Sequence, residues 1–270
     1  MPLYNPVRSL QRGLAVLQAL NRCNGARPQQ IARMVGVPRP TVYRLLETLE
    51  GLDFVRRSPS DDTWHLSLLV RTLSDGFVDE VWIRQCAMPV MEALGRELLW
   101  PIDLHTALAD RMVVRESTHR TSPFSIDHGM VGADLPMLLT SSGRAYLAFC
   151  PDDERAAILE RLRRSTREDD ALATDTARVE QLLAQTRAQG YGARTREYRS
   201  HTSSLSVPVH IEGRVPAVLT VIWIASALSF EDGVRQIVGP LQKAAAAIAE
   251  RYRASGDSGA AATPSPPRPG

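Results

Sequence analysis

The sequence predicts an α+β protein of two domains, an N-terminal winged helix-turn-helix followed by a larger mixed domain. Three observations predict it. Helical patterns separated by a glycine and followed by a basic strand run from Gln29 to Arg57, strand patterns alternate with helical ones from Pro101 onward, and the charge changes sign between these parts. With 270 residues, 44% of them hydrophobic, the chain is long enough for two separate cores.

The first two helices are delimited by proline and glycine. Apolar residues at helical spacing predict a first helix over residues 9–22. A second begins at Pro28, which suits the first position of a helix, and ends at Gly36, because glycine adopts a left-handed backbone at little cost. Its predicted inward face is Ile31, Met34 and Val35.

The third predicted helix restarts at Pro40 and has two distinct faces. One is apolar and packs inward: Val42, Leu45, Leu46 and Leu49. The other carries hydrogen-bonding groups on a helix able to enter a DNA major groove: Thr41, Tyr43, Arg44, Glu47 and Thr48. Arg44 and Thr48 are the candidates for base edges, and Arg39 is a candidate for phosphate contact.

A wing is predicted after this helix. Residues 54–57 and 63–67 have strand character, and the SPSDD segment between them is rich in turn formers. Arg56 and Arg57 are expected to face phosphates or a minor groove. An ordinary helical hairpin with a solvated polar face is the alternative, but turn, polar helix and wing occur in the order that a winged helix-turn-helix requires.

The charge distribution supports a polyanion partner for the first part. Residues 1–60 contain nine arginines and three acids, a formal charge of +6, whereas the remainder has 23 basic and 27 acidic residues, or −4. The three cysteines lack CxxC spacing, so neither a zinc site nor a disulfide framework is expected. The sequence shows neither a membrane-spanning apolar run nor a signal-peptide core, which predicts a cytoplasmic protein without membrane contact.

Four segments are predicted along the chain. Residues 7–68 form the winged domain, 69–82 a linker helix, 83–254 the mixed domain and 255–270 a disordered tail. Within the mixed domain, strands are predicted at 102–108 and 112–115, helices at 142–149, 152–163 and 175–189, and a hairpin of 205–211 with 215–224 about Glu212-Gly213. A last helix over 230–253 is capped by Ser229 and is expected to bend or break at Gly239-Pro240.

The mixed domain shows no common catalytic fingerprint. GxSxG, HExxH, Walker and GxGxxG motifs are absent and the six histidines lack helical ligand spacing, so we predict no enzyme activity, no cofactor and no metal. One feature suggests binding: Thr140, Ser141, Ser142 and Gly143 precede the helix RAYLAF, and small residues at a helix start leave N–H groups and hydroxyls free to hold a carboxylate. A plain N-cap is the alternative. Arg194 and Trp223 would line the same cavity if the fold brings them together.

The ordered motifs resemble a known family. VRSLQRGLAVLQAL, the helix-turn-helix, GRAYLAF and the late GYG and SLSVPV segments are similar to IclR-type transcriptional regulators over nearly the whole chain. RRSPSDDTWHL, MVVRESTHR, MVGADLPMLLTSSG and YLAFCP resemble the subgroup that activates aromatic-acid catabolism, particularly of 3-hydroxyphenylpropionate-type compounds.

This resemblance implies a linker helix, a C-terminal GAF-like effector domain, and dimers that often pair into tetramers. It also implies a small carboxylate at Ser141 to Gly143, with further contacts from positions matching Arg194, Ser204, Val221 and Trp223. Members that sense small keto acids have an acid at the Arg194 position and serines at the last two. A cation and an apolar wall here favour a larger aromatic carboxylate.

The resulting hypothesis is an activator that binds a palindromic operator in double-stranded DNA and is controlled by an aromatic carboxylate, with RNA polymerase as a further expected partner. Three alternatives remain. The first is a repressor of the same family that senses a different organic acid. The second is an enzyme that acts on an aromatic acid, and the third is an architectural DNA-binding protein without a sensor.

Overall fold

The computed structural model describes residues 6–23, 25–74, 81–127 and 130–255, and these fold as two compact units. The first unit contains the elements up to Ser74, and the second contains those from Ile83 onward. The predicted α+β class, with a helix-turn-helix first and a GAF-like domain after it, is confirmed. No helix in the described parts of the chain is long and apolar enough to cross a membrane.

The first unit is a three-helix core with a small antiparallel sheet. Its elements are α1 (Arg8–Cys23), α2 (Pro28–Val35), α3 (Arg39–Gly51), β1 (Val55–Arg57) and β2 (Trp64–Leu66). Val16, Ile31, Leu46 and Trp64 meet in the core. Gly36 ends α2 in the left-handed conformation predicted for it, with φ of 63°.

One expectation for this unit is wrong. Met34 is 47% exposed, because it lies in the last turn of a short helix, where its sulfur is 3.5 Å from that of exposed Cys23. Over the first part of the expected linker helix the chain forms a 3-10 helix, Leu68–Ser74, in which the Val70 N–H donates to the Ser67 carbonyl oxygen. The rest of that prediction, residues 75–80, lies outside the described residues.

The second unit is built on a six-stranded antiparallel sheet. Its elements are a π-helical turn (Ile83–Ala87), α4 (Met88–Leu98), β3 (Ile102–Leu108), β4 (Arg111–Ser117), β5 (Asp134–Pro136), α5 (Ser141–Phe149), α6 (Asp152–Arg163), a 3-10 helix (Glu168–Thr174), α7 (Thr176–Gln189), β6 (Gly192–Thr195), β7 (Thr202–Ile211), β8 (Arg214–Ile224) and α8 (Phe230–Ala254). The strand order is β5-β4-β3-β8-β7-β6. The hairpin of β7 and β8 turns at Glu212 and Gly213, with φ of 49° and 76°, as predicted.

The two faces of the sheet pack against different helices. Helices α4 and α8 cover one face, where they meet alternate residues of β7 and β8 such as Leu205, Val207 and Leu219. Helix α5 covers the other face and is backed by α6 and α7. Two neighbouring cores therefore share one sheet.

Of the expected bend or break at Gly239-Pro240, the break does not occur, because helix α8 runs without interruption through Pro240. Ile237 and Leu241 are both fully buried against the sheet on either side of the proline. We attribute the continuity to this packing, which outweighs the lost backbone hydrogen bond. Of the expected disordered tail only Ser255, which caps α8, lies within the described residues.

Trp223 anchors α8 to the sheet. Its ring is buried, its Nε1 donates to the Leu228 carbonyl oxygen at 3.0 Å, and it stacks on Phe230 with ring centroids 6.1 Å apart. A methyl group added at Gly233 would lie 2.7 Å from Cζ2 of the indole. Glycine is therefore required at this close approach of helix and ring.

We expect Gly233→Ala to lower the free energy of unfolding by about 1–2 kcal/mol, because the held indole cannot make room for a methyl group. Gly95→Ala in α4 is the matched control, since its new methyl would make only an ordinary 3.7 Å contact with Thr118. That control should stabilise by up to about 1 kcal/mol through helix propensity. Urea denaturation measures both, and equal stability of the two variants would contradict the close-approach argument.

Candidate functional site

The polar face of α3 presents a cluster of exposed side chains. Arg44 and Thr48 are exposed one turn apart, and the Thr48 hydroxyl donates to the Arg44 carbonyl oxygen at 2.7 Å. Arg39 donates to the Tyr43 hydroxyl at 3.0 Å, and its guanidinium carbon lies 5.4 Å from that ring's centroid. The contact holds Arg39 along the helix, and Arg44 is an exposed cation on this face.

The wing separates its two arginines. Arg56 and Arg57 are consecutive residues of β1, so their side chains point to opposite faces of the strand pair. Arg57 forms a two-nitrogen ion pair with Asp62, which follows the wing tip, with Nε to Oδ1 at 2.9 Å. Arg57 is thus paired within the wing, whereas Arg56 makes no ion pair among the described residues, and DNA contact by both arginines stays a prediction.

Hydroxyl groups from three elements meet under the start of α5. Ser141 lies 2.7 Å, oxygen to oxygen, from both Ser204 and Ser206 of β7. Ser206 lies 2.8 Å from Thr220 of β8, whose hydroxyl is 3.0 Å from Nδ1 of His105 on β3. These buried side chains form one hydrogen-bonded row across the sheet, which we call the hydroxyl row: Ser204, Ser141, Ser206, Thr220 and His105.

The start of α5 is tightly enclosed. Thr140 is the N-cap, and its side chain accepts from the Gly143 N–H at 3.2 Å, so the plain-cap alternative holds for that group. A methyl group at Gly143 would fall 2.1 Å from the Met137 carbonyl oxygen, and one at Gly192 would fall 2.1 Å from the Ser141 carbonyl oxygen. Ser142 is also buried here, 3.2 Å from the Thr140 hydroxyl.

Arg194 is buried at one end of the hydroxyl row. Its Nε donates to Ser204 at 3.2 Å, and its terminal nitrogens donate to the Thr202 carbonyl and hydroxyl oxygens, both at 2.9 Å, and to the Arg199 carbonyl oxygen at 3.1 Å. The structure thus brings together Ser141, Arg194 and Ser204, which the sequence placed in one candidate site. Arg194 also holds the turn before β7 in place.

Val221 and Trp223 do not join that site. They point to the opposite face of the sheet, into the core beneath α8. The residues of β8 that face α5 are Thr220 and Ile222, opposite Ser206 and Ser204 in the strand register. The expected positions, Val221 and Trp223, are each one residue away from those that face α5. Because side chains alternate along a strand, a shift of one residue exchanges the two faces completely. Trp223 is a core residue rather than a pocket wall.

A second polar cluster lies at the far end of the hydroxyl row and was not foreseen. Asp103 and His105 face the α5 side of β3, and His119 follows β4. Both imidazole Nε2 atoms approach Oδ2 of Asp103, at 3.9 Å for His105 and 3.7 Å for His119. None of the described residues makes a well-formed hydrogen bond to these two nitrogens or to either Asp103 oxygen, although Ser117 and His119 lie close enough to Asp103 to lower the pKa of its carboxyl group.

Burial and the neighbouring charges set the ionisation of this cluster. Burial opposes the charged carboxylate of Asp103, but the two histidines outweigh it and hold the pKa of Asp103 below its usual range. Burial lowers the pKa of His105, which favours its neutral form.

The sequence did carry a signal for the cluster, since Asp103 and His105 interrupt an apolar strand at a spacing of two. Among the described residues no group of side chains is arranged to hold a metal ion.

Comparison with known proteins identifies a domain family for each of the two units. Residues 9–59 match the IclR helix-turn-helix domain and residues 76–250 match the bacterial transcriptional regulator IclR C-terminal domain. Among curated relatives, the DNA-binding transcriptional repressor YiaJ of Escherichia coli is 25% identical over 89% of this chain and 86% of its own length. The transcriptional repressor IclR of the same organism is 24% identical over 93% and 92%.

Solved structures show the same architecture. An IclR family regulator from Brucella abortus is 26% identical over 91% of this chain and 93% of that one, with a TM-score of 0.55. An IclR homologue from Microbacterium hydrocarbonoxydans, complexed with 4-hydroxybenzoate, is 23% identical over 91% and 99%, with a TM-score of 0.59. The matched domains, which cover most of the chain in the expected order, establish that it belongs to the IclR family of DNA-binding transcriptional regulators.

Proposed function

We propose that this regulator senses an aromatic carboxylate, which binds on the α5 side of the sheet and controls an aromatic-acid degradation operon. The observation that carries the proposal is the buried meeting of Ser141, Ser204 and Arg194. Hydroxyls, a guanidinium and the positive end of a helix dipole together favour an anion. Ile222, which is partly buried on the same face of β8, supplies an apolar surface beside them.

Fold-level similarity supports the ligand class. The Microbacterium hydrocarbonoxydans homologue holds 4-hydroxybenzoate, so this architecture is able to accommodate an aromatic carboxylate. The effector would act by favouring one arrangement of paired DNA-binding units over another. We propose first that the regulator activates transcription of the operon through contact with RNA polymerase. Repression in response to a different organic acid is the second proposal, and it is favoured by the repressor names of several curated relatives.

Binding as a homodimer, or as a tetramer of two dimers, is part of the proposal. Val7, just before α1, and Leu10 and Leu14 within it are all at least half exposed, and their spacing of three and four residues places them on one helical face. Such an apolar stripe suits a second copy of the same helix. Two copies would present two α3 helices, which matches a palindromic operator.

Replacing Arg56 by Ala should weaken binding to specific and random DNA alike and reduce the salt dependence of log K by about one unit of slope, because one phosphate contact is lost. Binding is measured by fluorescence anisotropy over a salt series, on a fragment that the protein selects from a random pool. Arg57→Ala is the matched control and should change the slope less, since Asp62 already neutralises Arg57. An unchanged slope for Arg56→Ala would remove Arg56 from the phosphate contacts.

Arg44→Lys tests base recognition separately. Lysine keeps the charge but loses the planar fork, so binding to the selected fragment should weaken by about 1–3 kcal/mol while binding to random DNA changes little. The same anisotropy titrations give both affinities. A parallel loss on both DNAs would show that Arg44 contacts phosphate instead of bases.

A panel of aromatic carboxylates should raise the melting temperature of the full chain and alter its operator binding if the effector proposal is right. A ligand at 100 times its Kd adds about 2.7 kcal/mol of stability. Ser204→Ala should weaken the best binder by about 1 kcal/mol, roughly fivefold in Kd. Ser203→Ala is the neighbouring control, because Ser203 is buried on the opposite face beside Trp223. Equal losses of ligand affinity in both variants would contradict the site. A panel in which no acid binds would contradict it as well.

A further inference from the structure

The Asp103 cluster is arranged to recognise a group that the protein does not supply. Four polar atoms converge there without a hydrogen-bond partner among the described residues: Oδ1 and Oδ2 of Asp103, and Nε2 of His105 and of His119. All three side chains are at least 95% buried. Leaving such groups unsatisfied costs free energy, so an unpaired set in a folded interior indicates a missing partner.

The partner must both donate and accept. A carboxylate of Asp103 accepts only, so its partner has to carry a proton. The imidazole Nε2 atoms approach the same oxygen from β3 and from the turn after β4, and a nitrogen that carries its proton needs an acceptor. A hydroxyl group satisfies both demands with one atom. An ammonium group would only donate and would add a cation beside two histidines, whereas a second carboxylate would be repelled by Asp103.

The outer nitrogens of both rings are already occupied, which orients the inner ones. His105 Nδ1 is bonded to Thr220 at 3.0 Å, and His119 Nδ1 lies 2.6 Å from the Ser125 hydroxyl. Each ring is therefore held with Nε2 toward Asp103. Thr118, next to His119, is tied to Ile102 of β3 by bonds of 2.8 and 2.9 Å, which fixes where His119 leaves the sheet.

The cluster lies at the opposite end of the hydroxyl row from Arg194. The row thus connects a cationic end at Arg194 and Ser204 with an anionic end at Asp103, along one face of the sheet. A ligand lying along this row would meet opposite requirements at its two ends. Its carboxylate belongs at the first end, and a proton donor that also accepts belongs at the second.

We propose that Asp103, together with His105 and His119, forms a subsite for a hydroxyl group on the aromatic ring of the effector. This inference rests on the proposed function, since it assigns the second polar end of the same ligand. It predicts that the regulator discriminates hydroxylated aromatic acids from their unsubstituted parents. The discrimination arises because an unsubstituted ring would bury the Asp103 carboxylate against carbon and leave it unpaired.

The test uses matched acids on the full chain by isothermal titration calorimetry. The probes are benzoate with its 3- and 4-hydroxy derivatives, and 3-phenylpropanoate with its 3- and 4-hydroxyphenyl analogues. We expect at least one hydroxylated acid to bind roughly 10- to 100-fold more tightly than its parent, the ratio typical of a hydrogen bond to a charged group. Asp103→Asn should reduce that ratio to within about threefold, because an amide left unpaired against the unsubstituted ring costs less than a carboxylate.

Two further variants make the result independent of folding. Ile102→Val lies on the same strand but faces the other core, so it controls for a general loss of stability and should keep the full ratio. His119→Gln retains a hydrogen-bond donor in place of Nε2 and should keep part of the affinity ratio. Melting temperatures of the unligated variants confirm that each is folded at the temperature of the titration.

The outcomes separate the two proposals. If hydroxylated and parent acids bind equally, or if Asp103→Asn keeps the full ratio, the cluster is not the hydroxyl subsite, although the effector proposal stands. Such a result would fit a cluster satisfied by buried water instead. If no acid of either series binds, the proposed effector class fails, and the subsite fails with it.

Discussion

The alternation of side chains along β7 and β8 is the constraint on which the rest of the effector unit depends. The tight turn at Glu212 and Gly213, followed by a one-residue register shift between Val209 and Ile211, places Ser206 opposite Thr220 and Leu205 opposite Val221. The hydroxyls of the row then face α5, while Leu205, Val207, Leu219, Val221 and Trp223 pack into the core beneath α8 and α4. A slip of one residue would bury the hydroxyls against α8 and expose α5 to leucine and valine, so packing on both faces enforces the register.

The two faces of the six-stranded sheet are stabilised by different interactions. Beneath α8 the contribution is apolar burial with close contact, as where Gly233 admits the Trp223 ring. Beneath α5 the buried hydroxyls satisfy one another, from Ser204 through Thr220 to His105. The hydrogen-bonded row ends next to Asp103, where the carboxylate and the two imidazole Nε2 atoms are left without well-formed hydrogen bonds among the described residues. Natural proteins tolerate such local costs mainly where function requires them.

The DNA-binding unit follows from local rules more closely than the effector unit does. Pro28, Gly36 and the wing turn act on neighbouring backbone, and the helices and strands begin and end near the positions that these residues predict. Met34 departs from the pattern because burial depends on what lies opposite, which a three-residue period does not contain. The ion pair of Arg57 depends in the same way on tertiary structure, because the wing turn brings Asp62 near it. Adjacent arginines looked equivalent in sequence, yet only Arg56 lacks an ion pair among the described residues.

The sequence by itself determined the two-domain order, the family, most helices and strands, and the serines at the start of α5, because periodicity, turn residues and ordered motifs are local properties of the chain. The tertiary structure decided which of the candidate effector residues meet. Ser141, Arg194 and Ser204 come together, whereas Val221 and Trp223 face the other core, because an error of one residue in a strand reverses its faces. It also joined Asp103 and His105 with His119, which follows the neighbouring strand. Contacts across a sheet depend on strand register, and register is settled only when both faces are packed.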